Sequence, residues 1–134
     1  MEIKTSIDGL ESVVMKVLKE YGDEGAVKVS DAVEAEAEKV RKDIRHNISS
    51  SGMSSKRTKY KRGWRIKKTS GKLGITQCTI YNGPEYRLTH LLEKGHVSKN
   101  QYGGPYGSVK AYPHIAKATE NMEPDLLKKI KDAL

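Results

Sequence analysis

The chain has 134 residues, a single cysteine and a formal net charge of +8, which suits one domain able to bury a core without covalent staples. One cysteine excludes an internal disulfide, and no run approaches the roughly 18 consecutive apolar residues that cross a bilayer. The opening stretch carries acids and no apolar segment, so no secretory leader is expected, and the protein is expected in the cytoplasm when made.

The first helix is expected over residues 8–21, where Ile7, Leu10, Val14, Val17, Leu18 and Tyr21 form one apolar stripe. Ser6 or Asp8 is placed to cap it, and Gly22 to end it. A longer helix follows over residues 24–48. Val29, Val33, Ala37, Val40, Ile44 and Ile48 share its apolar face, and Glu34, Glu38, Lys42 and Arg45 lie opposite. Glu38 precedes Lys42 by one turn, the favoured order for an ion pair on a helix, while Gly25 weakens the first turn. Residues 49–55 are serine and glycine around a single methionine, Met53, with little to pack, and a flexible loop is expected near 49–59.

Residues 60–68 alternate, with Tyr60, Trp64 and Ile66 to one side and Lys61, Arg65 and Lys67 to the other, the pattern of a half-buried strand. A turn at 69–72 and a second strand over 73–81, rich in Ile, Thr and Tyr, complete an antiparallel hairpin. Such a hairpin is marginal alone and must pack on the helices or pair along an edge. Residues 86–94 form a short helix burying Leu88, Leu91 and Leu92, with Gly95 as its left-handed C-cap. A Gly/Tyr/Asn-rich loop near 97–108 leads to a short third strand at 109–112. Ile115, Ala118, Met122, Leu126, Ile130 and Leu134 then keep a helical period, and Pro124 predicts a kink or restart. The fold class is α+β: a small antiparallel sheet, hairpin plus third strand, packed against two N-terminal helices, a short middle helix and a C-terminal helix, in one domain over residues 1–134.

Charge is concentrated in the middle of the chain. Residues 51–84 hold nine bases and no acid, against a net −3 for residues 1–50 and +2 for residues 85–134. Lys56, Arg57, Lys59, Lys61, Arg62, Arg65, Lys67, Lys68 and Lys72 are interleaved with Tyr60 and Trp64. This run reads either as a solvated or partner-facing patch or as a DNA-proximal one. Trp64 reads as a core anchor, with base stacking as the alternative.

The histidines raise a metal or nuclease reading. His90 and His96 flank Gly95 with Glu93 between them, and His114 follows Asn100. A zinc site prefers two histidines one helical turn apart, or cysteine pairs, and neither spacing is present. The alternative places His96 near a helix C-terminus, where a partly positive ring is favourable, and His114 against a neighbouring loop. Cys78 lies mid-strand with no base beside it and reads as a small packed side chain. There is no nucleophile elbow and no phosphate loop; Gly103, Gly104 and Gly107 read as flexibility. No cofactor, metal or catalytic residue is expected.

Several blocks occur in an informative order. A Tyr-x-x-Gly-Trp motif spans Tyr60, Gly63 and Trp64 and opens a strand; another strand ends at Tyr81 and Asn82. Then come Leu-Glu-x-Gly-His at Leu92, Glu93, Gly95 and His96, and Pro-His-Ile at Pro113, His114 and Ile115, before an amphipathic helix. In this order the chain resembles the gene-product-ten-like tail-component family of long-tailed (siphovirus) phages, most clearly from Tyr60 to the end. The resemblance implies a virion protein, of a phage or prophage, at the head–tail junction, acting in neck assembly or tail completion and associating into a ring with neck, connector or tail proteins. It implies no catalytic centre. Trp64, His90, Glu93, Gly95, His96, Pro113 and His114 would then be residues that shape the turn after the short helix and anchor the long loop. Pro124, inside the last helix, departs from the family pattern. A basic nucleic-acid-binding module, or a metal-dependent nuclease using His90, His96 and His114, is the alternative function.

Overall fold

A computed structural model describes residues 3–52, 58–99 and 105–134, with the backbone alone for 3–8, 96–99 and 105–109. The chain is α+β. In order it forms α1 (Ile3–Ser50), α2 (Thr58–Arg62), β1 (Trp64–Ser70), a 3-10 turn (Lys72–Gly74), β2 (Thr76–Asn82), α3 (Tyr86–Lys94), β3 (His96–Lys99), β4 (Pro105–Val109), α4 (Ile115–Thr119) and α5 (Met122–Ala133). The five residues between β1 and β2 are too few for a parallel crossover, so the pair is an antiparallel hairpin.

Both amphipathic stretches of the N-terminal sequence lie in α1, which is broken at Gly22 (φ 59°, ψ −134°), a conformation glycine adopts far more readily than residues with a Cβ. Beyond the break the chain comes back on itself. A methyl group on Gly25 would lie 2.9 Å from the Val17 carbonyl oxygen and 3.0 Å from the Tyr21 Cβ. Gly25 therefore costs helix propensity but permits the close approach.

By packing, the chain divides into two compact units. The first comprises Met1–Val40, Ile66–Thr79 and Thr119–Leu134. Its core is Val17, Val29, Ala32 and Ile130, flanked by Leu10, Val13, Val14, Val33, Ile75 and Leu126. Both segments of α1, the hairpin and α5 thus share one apolar centre. The Thr76 backbone N–H donates to Ser30 Oγ at 2.9 Å. α5 is held by Lys129 on the buried Glu36 carboxylate at 2.6 Å and by Asp125 on Lys39 at 2.5 Å. A buried carboxylate requires such a partner, since removing the cation would leave an uncompensated charge.

The second unit comprises Arg41–Arg65 and Ile80–Ala118. Its buried side chains include Ile44, Ile48, Tyr60, Trp64, Asn82, Leu92, His114 and Ala118.

Several expectations are corrected. Residues 110–114 form no strand; the strand there is β4, earlier, and it pairs antiparallel with β3 in a separate two-stranded sheet. His96 opposes Val109 and Val97 opposes Ser108, with an irregularity before Lys99 meets Pro105. The physical reason lies at Tyr112, whose N–H donates at 2.7 Å to the Leu92 carbonyl. That segment closes the end of α3 instead of extending a ladder. The expected loop near 97–108 therefore has strands at both ends, and residues 100–104, with Gly103 and Gly104, lie outside the described residues.

Tyr60 is helical, not in a strand. Its four-residue separation from Trp64 suits a helical turn as well as alternation, and Gly63 N–H donates to the Tyr60 carbonyl at 3.2 Å to end the turn. Near the expected loop at 49–59, α1 continues to Ser50, with the Ser49, Ser50 and Ser51 hydroxyls donating back to the carbonyls of Arg45, Asn47 and Ile48. Residues 53–57 lie outside the described residues.

Gly95 does have a positive φ of 72°, but its ψ of 173° is extended rather than left-handed helical. Its N–H closes α3 on the Leu91 carbonyl at 2.8 Å. The last helical region restarts at Met122, just before Pro124, so the proline falls in the first turn of α5, where its missing donor is not needed.

Candidate functional site

The polar centre of the second unit is His114, which is fully buried. Each of its polar atoms is engaged. The backbone N–H donates to Glu93 Oε1 at 2.8 Å, and the carbonyl accepts from Asn47 Nδ2 at 3.1 Å. Nδ1 lies 2.6 Å from the Tyr112 carbonyl, which can only accept. In a neutral ring this puts the proton on Nδ1 and leaves Nε2 to accept from the Tyr60 hydroxyl at 2.6 Å. Nε2 is the atom that would bind a metal or move a proton, and here it is sealed by a phenol.

Tyr60 and Trp64 complete the cluster. The rings of Tyr60, Trp64 and His114 pack edge to face in all three pairings, with centroids 5.5–5.9 Å apart, within the range such rings favour. Burial, with the Glu93 charge adding to it, pushes the Tyr60 phenol up to about 12, so it remains a donor at ordinary pH.

The Tyr-x-x-Gly-Trp motif has a local reason. Gly63 sits where a methyl would meet the Pro84 ring carbons at 2.6 Å and Asn82 Oδ1 at 2.9 Å. Asn82 is buried and donates to the Tyr60 carbonyl at 2.6 Å while its Oδ1 accepts the Glu85 N–H at 2.9 Å. Gly83 N–H donates to the Gly63 carbonyl at 3.0 Å. The turn after β2 is thereby locked onto the turn before β1. Arg45 Nη2 reaches the Trp64 and Arg62 carbonyls at 3.3 and 3.5 Å, placing a cation at the C-terminal end of α2.

Glu93 works as a cap. Oε1 accepts from the N–H groups of His114 and Ile115 at 2.8 and 2.9 Å, and Oε2 from Ala116 at 3.0 Å. Desolvation opposes ionisation, but these three donors and the adjacent His114 hold the carboxyl below its ordinary range. A carboxylate on the free donors at the start of α4 fixes where that helix begins.

The other residues singled out in the sequence are scattered. His90 and Pro113 are exposed, and the His96 side chain lies outside the described residues. Among the described residues no group of three or more His, Cys, Asp or Glu side chains is placed to hold a metal ion. Cys78 is half-buried, and burial and the Glu34 charge push its thiol up. In the second unit Lys59, Arg62 and Arg65 are exposed and Lys61 is half-buried; in the first, Lys67, Lys68 and Lys72 are exposed. Lys68 lies 3.4 Å from Glu34. Lys56 and Arg57 lie outside the described residues. No described helix is long and apolar enough to cross a membrane.

Sequence reasoning missed Asn47, Asn82 and the phenol of Tyr60. Asn82 carried a usable signal, since an asparagine before Gly-Pro favours a side-chain-to-backbone turn. Asn47 carried none, because its partner is 67 residues away.

No curated protein and no solved structure is significantly similar to the chain. A family model does match residues 13–95, ahead of Pro113 and His114. That match covers more than half of the sequence, and its description is Bacteriophage HK97-gp10, putative tail-component: the chain belongs to this family of structural phage tail components.

Proposed function

We propose that this tail component acts at the head–tail junction of the virion, in neck assembly or tail completion, as a ring of identical copies. One observation carries the reading beyond the family: the residue that looks most chemical, His114, has every polar atom engaged inside the fold. Its chemistry maintains shape, and what a shaped small protein offers is surface. The two-stranded sheets add open strand edges suited to pairing between subunits. The partners are then other neck, connector or tail proteins, met in the host cytoplasm during assembly. The motif residues Trp64, Glu93, Gly95 and His114 hold the second unit in the form that those partners meet.

Sedimentation of the full chain, alone and with purified connectors or tails, tests the reading. Concentration-dependent assembly or co-sedimentation is expected; a strict monomer that binds neither rules it out.

The exposed cations favour a second contact, with genomic DNA in the lumen of such a ring. Neutralised phosphates release counterions, so binding of this kind weakens steeply with salt. A filter-binding titration at two salt concentrations is expected to give modest, salt-sensitive affinity. Tight sequence-dependent binding that survives high salt would replace the structural reading with that of a nucleic-acid-binding module.

A further inference from the structure

We propose that Leu73, at the tip of the β1–β2 hairpin, seats in a groove between α1 and α5 of a second copy of this chain and joins copies head to tail. The proposal rests on the self-association put forward above and names its contact.

Leu73 is the non-glycine residue with positive φ among the described residues (φ 61°, ψ 23°), and it is 61% exposed. Glycine or asparagine would adopt this backbone more readily. A branched apolar side chain in that conformation, held out in solvent, gains too little inside its own molecule to explain its presence. The strain and the exposure both make sense if the side chain is buried by a partner.

The first unit also holds a receiving surface. An open groove of about 450 Å³ is lined mainly by apolar atoms, including those of Ala32, Ala35 and Ala133. Small side chains leave room there for a larger one. Of the charged residues that line it, Lys129 is engaged by Glu36 and Lys28 donates to the Ala133 carbonyl at 3.1 Å. Asp31 and Asp132 have no ion-pair partner among the described residues. The carbonyl leaves the Lys28 charge in place, so Asp31 and Asp132 outweigh it and the groove is mildly acidic, while Leu73 is flanked by the exposed Lys72. Knob and groove are complementary in size, polarity and charge.

Their placement suits a repeating contact. The hairpin meets α1 at Ala26, Ser30 and Glu34, whereas the groove uses Lys28, Asp31, Ala32 and Ala35. At about 100° per residue the two sets are centred roughly 150° apart around the helix, so the hairpin and the groove use separate faces of α1. An interface between two different surfaces leaves one of each free on every added copy, and it closes into a ring if the rotation divides the circle.

The test uses the full chain with Leu73→Asn, which removes the knob and eases the backbone, and with Ala35→Trp, which fills the groove. In sedimentation velocity the wild type is expected to assemble and each variant alone to stay monomeric, with Leu73→Asn melting no lower than wild type. Mixing the two variants is expected to restore dimers that grow no further, because one sound knob and one sound groove remain. If both variants assemble like wild type, the knob-in-groove contact is wrong while ring formation stands. If Ala35→Trp blocks binding to purified tails but leaves self-association intact, the groove belongs to another virion protein and the proposal falls. If the wild type never assembles, alone or with connectors and tails, the ring reading falls and takes this contact with it.

Discussion

Replacing Glu93 by glutamine tests the capping role of the carboxylate with almost no change in volume. Glutamine keeps one oxygen for the N–H groups of His114 and Ile115, at 2.8 and 2.9 Å in the native site, but turns an NH2 group toward the Ala116 N–H that Oε2 accepts at 3.0 Å. One hydrogen bond is lost, and the others drop from charge-assisted to neutral, from roughly 1.5–3 to roughly 0.5–1.5 kcal/mol each. Water reaches the exposed Ala116 end and replaces most of the lost bond, so the two weakened bonds dominate at about 1 kcal/mol each, for a cost of about 2 kcal/mol, or roughly 6–10 °C in Tm for a chain of this size. Trp64 is the only tryptophan and is buried in the same unit, so its fluorescence during urea unfolding reports the change. The pH dependence has a definite sign. Because the folded carboxyl lies below its ordinary value of 4.5, the unfolded chain binds more protons in the window just beneath that value. The stabilisation is complete above it and is lost as pH falls through the folded pKa. The gap between wild type and Glu93→Gln is therefore expected to narrow from pH 7 to pH ~3. Equal stability at pH 7, or a gap that does not change with pH, would refute the capping account.

Other perturbations separate the remaining contributions. Tyr60→Phe keeps the ring packing but strips His114 Nε2 of its donor, and is expected to cost about 1–3 kcal/mol in the same urea assay. Gly63→Ala drives a methyl to 2.6 Å from the Pro84 ring; the rigid ring cannot yield cheaply, and a loss of about 2 kcal/mol or more with reduced soluble yield is expected. Gly22→Ala meets no atom within 4 Å, so its cost is the backbone alone, roughly 1–3 kcal/mol for a positive φ with ψ far from the left-handed helical region. Thermal unfolding followed by circular dichroism measures it.

Local chemistry made much of the fold legible. The break at Gly22 and the span of α3 follow from glycine punctuation and apolar period, and Pro124 marked the restart at α5 to within two residues. The short ribbon of β3 and β4 was hidden because glycine, tyrosine and asparagine read as loop, although the strands that pair are neighbours in sequence. Tyr60 was misplaced because a spacing of four fits a helical turn as well as a strand face. The polar centre was half legible. Glu93 and His114 stood out as motif residues, but that one caps the backbone of the other depends on two segments 21 residues apart meeting. Asn47 had no signal, since an asparagine late in a helix is ordinary until its distant carbonyl partner is known.

The engagement of His114 has a consequence for how the protein is made. Asn47, Tyr60 and Glu93 leave the ribosome well before the residue they converge on, and Ile130 completes the other core later still. Until then the growing chain carries apolar faces with no cover, which favours chaperone holding and makes premature aggregation the main hazard. Neither unit can close by contacts local in sequence, so folding is expected to be slow for a chain of this length. A nonsense codon anywhere before residue 114 would deprive both units of their keystones at once, leaving no half-functional fragment to compete for a place in the assembling particle.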